Sequence, residues 1–103
     1  MASLRLPSRY DINVVEKESI RAAVSSLVDE GRFDKLETIN FYLCDYIRDA
    51  DLASILTKSY MSVKIIDIRY SGLTESSAAH IKLCMGPEDL LPMETNQLGI
   101  WWR

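Results

Sequence analysis

Residues 36–55, L-E-T-I-N-F-Y-L-C-D-Y-I-R-D-A-D-L-A-S-I, constrain the fold of this chain more than any other stretch. Leu36, Ile39, Phe41 and Cys44 stand in the order L-x-x-L-x-L-x-x-C, with other apolar residues in two of the leucine places. Ile39 and Phe41 are two apart, so in an extended segment both side chains leave on one face. Cys44 suits a buried corner, where a small polarisable side chain packs and offers a weak donor to backbone. Ile47, Leu52 and Ile55 then carry an apolar face through a turn into a short helix. One unit of this size cannot bury its own apolar face. It needs neighbours.

Two neighbours are present at a shift of 27 residues. Moving Ile39 and Phe41 forward reaches Ile66 and Ile68; moving them back reaches Ile12 and Val14. The corner at Cys44 maps to Ser71 and to Lys17, and the start at Leu36 maps to Val63 and to Arg9. A helical segment follows each strand, at Ile20–Val28, Leu52–Leu56 and Ala78–Leu83. This period falls in the range of leucine-rich repeats, whose terminal members are atypical because they cap the stack. The expected fold class is α/β: a short leucine-rich-repeat stack of about three βα units with parallel strands. An ordinary two-layer α/β domain is the alternative. The expected division is an N-terminal arm over 1–9, the repeat domain over 10–85 and a C-terminal tail over 86–103.

Local signals place the elements. Met1–Arg9 holds Arg5, Arg9 and Pro7 and no acid, which reads as a short basic targeting remnant or a flexible arm. Asp11–Val15 is expected as the first strand. Glu16–Glu30 reads as a helix with acids in its first turn and Gly31 past its end. The second helix starts near Asp49, with Asp51 in its first turn. V-K-I-I-D-I-R-Y is the third strand, Gly72 the turn after it, and Thr74 the cap of a helix to Met85. Gly86-Pro87 ends the repetitive part, and Leu90 and Met93 suggest a rough fourth strand. Ile100, Trp101 and Trp102 either fold back over the last repeat's open edge or anchor in a partner. A membrane-interface role for the tryptophan pair is weaker, since no basic amphipathic helix accompanies it.

The same spacing marks a candidate binding face. Residues alternating with the buried ones form columns reading Asp11, Thr38, Ile65; Asn13, Asn40, Asp67; and Val15, Tyr42, Arg69. Asn13, Asn40, Tyr42, Asp67 and Arg69, with Trp101 and Trp102, are the expected protein-binding residues; a solvated sheet face gives a similar pattern. No catalytic, cofactor-binding or metal-ligating residue is expected. His80, the single histidine, reads as a surface or satisfied helix residue with no cysteine, serine or carboxylate at catalytic spacing. Asp45, Asp49 and Asp51 match no metal loop and read as caps and solvated charge. Cys44 and Cys84 are expected as free thiols. A net charge of −3 without a basic cluster argues against nucleic acid as a principal partner. No apolar run reaches the roughly 20 residues that span a bilayer. With 103 residues and 48% hydrophobic content, the chain suffices for one domain with a real core.

The runs N-V-V-E-K-E-S-I-R-A-A-V and F-D-K-L-E-T-I-N-F-Y-L-C-D-Y-I-R-D-A-D-L also carry a resemblance. They resemble the repeat region of the mitochondrial ATP synthase subunit s (coupling factor B) family, which is related to the distal membrane-arm assembly component of complex I. C-D-Y-I-R-D-A-D-L resembles that family's C-x-Y-I-x-D-x-x-L through Cys44, Tyr46, Ile47, Asp49 and Leu52. The likeness covers about residues 10–83. Two departures stand out: Tyr42 occupies the place of the family's second cysteine, and the family's basic N-terminal domain has no counterpart before residue 10. The resemblance implies a non-enzymatic accessory or assembly subunit of a mitochondrial oxidative-phosphorylation complex, ATP synthase first. It would sit peripherally at the inner membrane and act by protein–protein docking, with no small-molecule substrate. A complex I arm component is the alternative within this class, and a leucine-rich-repeat adaptor of ubiquitin-ligase type lies outside it.

Overall fold

The computed structural model describes residues 2–85 and 100–102, the last three by their backbone. Strand and helix alternate as β1 (Ser3–Arg5), α1 (Val14–Asp29), β2 (Thr38–Asn40), α2 (Asp49–Ser59), β3 (Ile65–Asp67) and α3 (Glu75–Met85), with β4 (Ile100–Trp102) last. All four strands lie in one sheet in the order β1-β2-β3-β4. The first three run parallel, and β4 runs antiparallel to β3. The chain is a small α/β protein of three βα units.

Register explains the core. Leu4, Ile39 and Ile66 fall side by side on successive strands, and all three are buried. Phe41 and Ile68, two positions further along, are buried completely. The helices pack on this side: Val24 and Val28 of α1, Leu52, Ile55 and Leu56 of α2, and Ile81 of α3 share one core with the column. Phe33 and Leu36 fill the approach to β2 with no exposed surface.

The first strand is not at Asp11–Val15. It lies at Ser3–Arg5, within the segment read as an arm, so Leu4 takes the place expected of Ile12. Residues 11–13 turn, and Val14 and Val15 begin α1 at 70% and 73% exposure. The reason is an unequal period. From Leu4 to Ile39 the chain advances 35 positions, and from Ile39 to Ile66 only 27. The first unit is longer partly because α1 has 16 residues where α2 has 11. At the longer offset Ile12 corresponds to Ile47, and it packs against the core where the chain enters its helix.

Both ends of α1 are closed locally. The Asn13 Oδ1 accepts the Glu16 N–H at 2.9 Å and the Glu16 carboxylate accepts the Asn13 N–H at 3.3 Å, a capping box. At the other end Gly31 sits at φ +71. The Gly31 N–H donates to the Val28 carbonyl and the Arg32 N–H to that of Leu27, both at 3.0 Å. A left-handed residue at this place lets both bonds form, and glycine adopts it without strain.

The two corners that follow β2 and β3 are built alike. Leu43 and Tyr70, 27 positions apart, have φ of 60° and 53°. Left-handed backbone disfavours residues with a Cβ by roughly 1–2 kcal/mol, so the packing around each corner imposes it. The Cys44 N–H donates to the Phe41 carbonyl at 3.0 Å, and the Ser71 hydroxyl donates to the Ile68 carbonyl at 2.8 Å. Cys44 is fully buried, with its Sγ 3.4 Å from the Pro7 carbonyl, and the Tyr46 hydroxyl donates to that same oxygen at 2.6 Å. Burial pushes the acidity constants of both groups up, so both keep their protons and remain donors. They tie the exit of β1 to the corner of the second unit.

Strand β4 occupies the edge of β3, with Trp102 in register with Ile65 and Trp101 with Ile66. The stop at Gly86-Pro87 and the rough strand near Leu90 and Met93 lie outside the described residues. Deleting residues 99–103 uncovers the β3 edge and is expected to destabilise the isolated chain. Each 1 kcal/mol lost corresponds to a fall of roughly 4–8 °C in melting temperature. Calorimetry of the free full-length and truncated chains measures it; equal melting temperatures would show that the strand contributes nothing without a partner.

Candidate functional site

No described element covers the sheet face opposite the helices. Ser3 and Arg5 of β1 are exposed there, Thr38 and Asn40 are half-buried, and Ile65 retains 43% exposure. The register sets Arg5, Asn40 and Asp67 side by side. Asn40 and Asp67 thus occupy the shared column that the sequence implied, and each organises the chain just beyond its strand. The Asn40 Oδ1 accepts the Tyr42 N–H at 3.0 Å, and the Asp67 Oδ1 accepts the Arg69 N–H at 3.1 Å.

Tyr42 and Arg69 come together as expected. The Arg69 guanidinium lies 4.9 Å from the centre of the Tyr42 ring, and Tyr42 meets Tyr70 edge-on at 6.0 Å between centroids. Arg69 also donates through Nε and Nη2 to the two Asp67 oxygens at 3.1 and 2.9 Å. Bonding to Asp67 raises the Arg69 acidity constant further, so the group stays charged. Asp67 itself is buried, and Arg69 supplies the paired cation that such burial requires.

Asn13 does not join this face. It caps α1, and Arg5 stands in the column where Asn13 was expected. Asp11 and Val15 leave the columns for the same reason. Trp101 and Trp102 are placed by their backbone beside β3. The columns also missed Arg9, Tyr10 and Tyr70. The Arg9 guanidinium donates to the Tyr70 carbonyl at 3.4 Å and to the Tyr10 hydroxyl at 2.9 Å, and lies 4.8 Å from the Tyr10 ring centre. Tyr10 is 73% exposed and Tyr70 62%. A sequence signal existed for Tyr70, which stands 27 positions after Leu43 at the left-handed corner residue. Arg9 becomes legible only once the first offset is 35, when it aligns with Cys44.

Outside this face, two sequence readings need revision or detail. His80 does have a cysteine neighbour: the Cys84 Sγ lies 3.5 Å from its Nε2. The pair is spaced i, i+4 on α3, the separation that brings side chains together on one helix face. Burial pushes the Cys84 thiol up, so the contact does not produce an activated thiolate. The three aspartates each have an organic partner. Asp45 pairs with Lys17 at 3.4 Å, and Asp51 accepts the Arg48 N–H at 2.9 Å and pairs with Arg21 of α1 at 3.3 Å. Among the described residues no group of three or more His, Cys, Asp or Glu could hold a metal ion.

Asp49 links the second and third units. Its carboxylate accepts the Thr74 N–H at 2.8 Å, the Ser77 hydroxyl at 2.6 Å and the Thr74 hydroxyl as well. Burial pushes its acidity constant up, but the bonds from Ser77 and Thr74 outweigh that, and the net shift is downward. A carboxyl depressed in the folded state stabilises the fold above its unfolded value, near 4. That contribution disappears as the pH falls through the folded value. Thermal melting of the unmodified chain should therefore decline below about pH 4, whereas Asp49→Asn should melt lower at neutral pH and lose less on acidification. Parallel declines in the two proteins would dismiss Asp49 as the group responsible.

Fold and surface together define a small α/β protein with an open, arginine- and tyrosine-bearing sheet face. No helix among the described residues is long and apolar enough to cross a membrane. Comparison of the chain with models of protein families, with curated proteins and with solved structures finds no match.

Proposed function

We propose that this chain is a short leucine-rich-repeat stack acting as a non-catalytic accessory or assembly subunit of a mitochondrial oxidative-phosphorylation complex. Its open sheet face docks on a neighbouring subunit. The observation that carries the docking reading is the connected run of exposed Tyr10, Tyr70 and Tyr42 with half-buried Arg9 and Arg69 between them. Tyrosine and arginine dominate interface hot spots, and side chains already held by one another lose less entropy on binding. The repeat identity is supported by corners of one conformation 27 positions apart at Leu43 and Tyr70. The mitochondrial assignment, with ATP synthase before complex I, rests on the likeness of C-D-Y-I-R-D-A-D-L to the subunit s family.

Blue-native electrophoresis of mitochondria, followed by detection of this chain, tests the assignment. Comigration with ATP synthase is expected, and the double variant Tyr42→Ala/Tyr70→Ala should be released from the complex. Migration of the unmodified chain as a free monomer would defeat the proposal.

A further inference from the structure

We infer that the occupant of the open sheet face is an acidic segment of a protein, its aspartate and glutamate side chains bound by Arg5, Arg9 and Arg69. The inference rests on the docking reading above and adds the chemistry of the partner. It comes from an imbalance of donors over acceptors. A guanidinium carries five N–H donors. Arg9 uses two of them, one on Tyr10 and one on Tyr70. Arg69 uses two on Asp67, and exposed Arg5 has no side-chain partner among the described residues. Among the described residues, most donors of these three arginines have no protein acceptor.

Charge points the same way. Against these three arginines the face sets Asp67, already held by Arg69, and Asp45, which is paired with Lys17 and whose charge also reaches Arg9. The whole chain carries −3, so this face is a local reversal of the molecule's sign. Arg9 and Arg69 also lie over tyrosine rings, which orients their planar forks before any partner arrives. Carboxylates match that fork geometry in a bidentate manner. Exposed Tyr10 and Tyr70, both in contact with Arg9, and exposed Ile65 in the next column of the same face take the apolar side chains of the same segment. Such interleaving favours a peptide over a nucleic acid, whose dense phosphates a net acidic chain repels.

The test uses the full-length chain labelled for NMR and three synthetic probe peptides. One alternates glutamate with leucine, one replaces each glutamate by glutamine, and one is a phosphoserine counterpart. The glutamate peptide should shift the amides of Arg9, Tyr42, Arg69 and Tyr70. The glutamine peptide should bind at least about tenfold more weakly, and added salt should remove most of the difference. Arg5→Glu/Arg9→Glu should lose glutamate-peptide binding with its far-UV spectrum unchanged. Equal binding of the glutamate and glutamine peptides, or binding by the phosphoserine peptide alone, overturns the inference.

A second arm separates this inference from the docking reading. In the blue-native experiment, release by Tyr42→Ala/Tyr70→Ala but not by Arg5→Glu/Arg9→Glu leaves docking standing and refutes the acidic partner. Retention of both variants refutes the docking face itself.

Discussion

Ile39→Ala is expected to destabilise the isolated chain by roughly 2–5 kcal/mol, the range for truncating a fully buried aliphatic side chain. Ile39 has no exposed surface and stands between Leu4 and Ile66 in the central column of the sheet. Leu4, Ile39 and Ile66 belong to three strands joined by backbone hydrogen bonds, so the cavity cannot close by collapse of one loop. For a domain of this size that loss is a large fraction of the total stability, about 5–15 kcal/mol. Ile65→Ala is the control. Ile65 precedes Ile66 on β3, faces the other way and is 43% exposed, so its truncation should cost well under the buried change. Chemical denaturation of both variants decides the point. Similar losses would mean that the column is not the core of the sheet.

Gly72→Ala should be comparably damaging for the opposite reason. A Cβ at this position would press against the Asp45 carbonyl oxygen and come within 3.0 Å of that of Ile47. Both obstacles are backbone, and the Gly72 N–H already donates to the Cys44 carbonyl at 3.2 Å, so neither side can withdraw cheaply. Overpacking of a well-filled site costs roughly 1–3 kcal/mol and more where nothing can move. Gly31→Ala is the comparison: a Cβ there meets nothing within 4 Å, and only the φ of +71° opposes it. Its cost is therefore limited to left-handed strain, about 1–2 kcal/mol. Urea melts in which Gly31→Ala proves the more harmful would contradict the tight corner-to-corner contact.

How far the sequence could be read depended on whether a signal was local or needed a register. The alternation at Ile39 and Phe41 and its echo at Ile66 and Ile68 placed β2 and β3 and their parallel pairing, because both strands share a core face. The same arithmetic failed for β1. Ile12 and Val14 happen to alternate at the right distance, yet Asn13 and Glu16 between and after them spell a capping box. Two local signals conflicted there, and helix capping prevailed over an apolar alternation only two residues deep. On the binding face, Asn40, Tyr42, Asp67 and Arg69 were legible because their columns follow from β2 and β3. Asn13 was not, because its column inherited the wrong first strand.

The sequence by itself determined the α/β alternation, the helix limits near Asp49 and Met85, and the inward column of β2 and β3. Each of these depends on neighbours within a few positions or on a constant repeat length. Only the tertiary structure decided the rest. It brought Ser3–Arg5 into the sheet, because the length of α1 and its following turn fixes where the chain can return. It brought the Pro7 carbonyl to Cys44 and Tyr46, and it assembled Arg9, Tyr10 and Tyr70 with Tyr42 and Arg69. The Pro7 contacts with Cys44 and Tyr46 and the Arg9–Tyr70 bond join residues 37, 39 and 61 positions apart, and no local periodicity encodes which of them meet. The left-handed corners at Leu43 and Tyr70 belong with them, since neither residue favours that backbone and only the packing of three stacked units holds it.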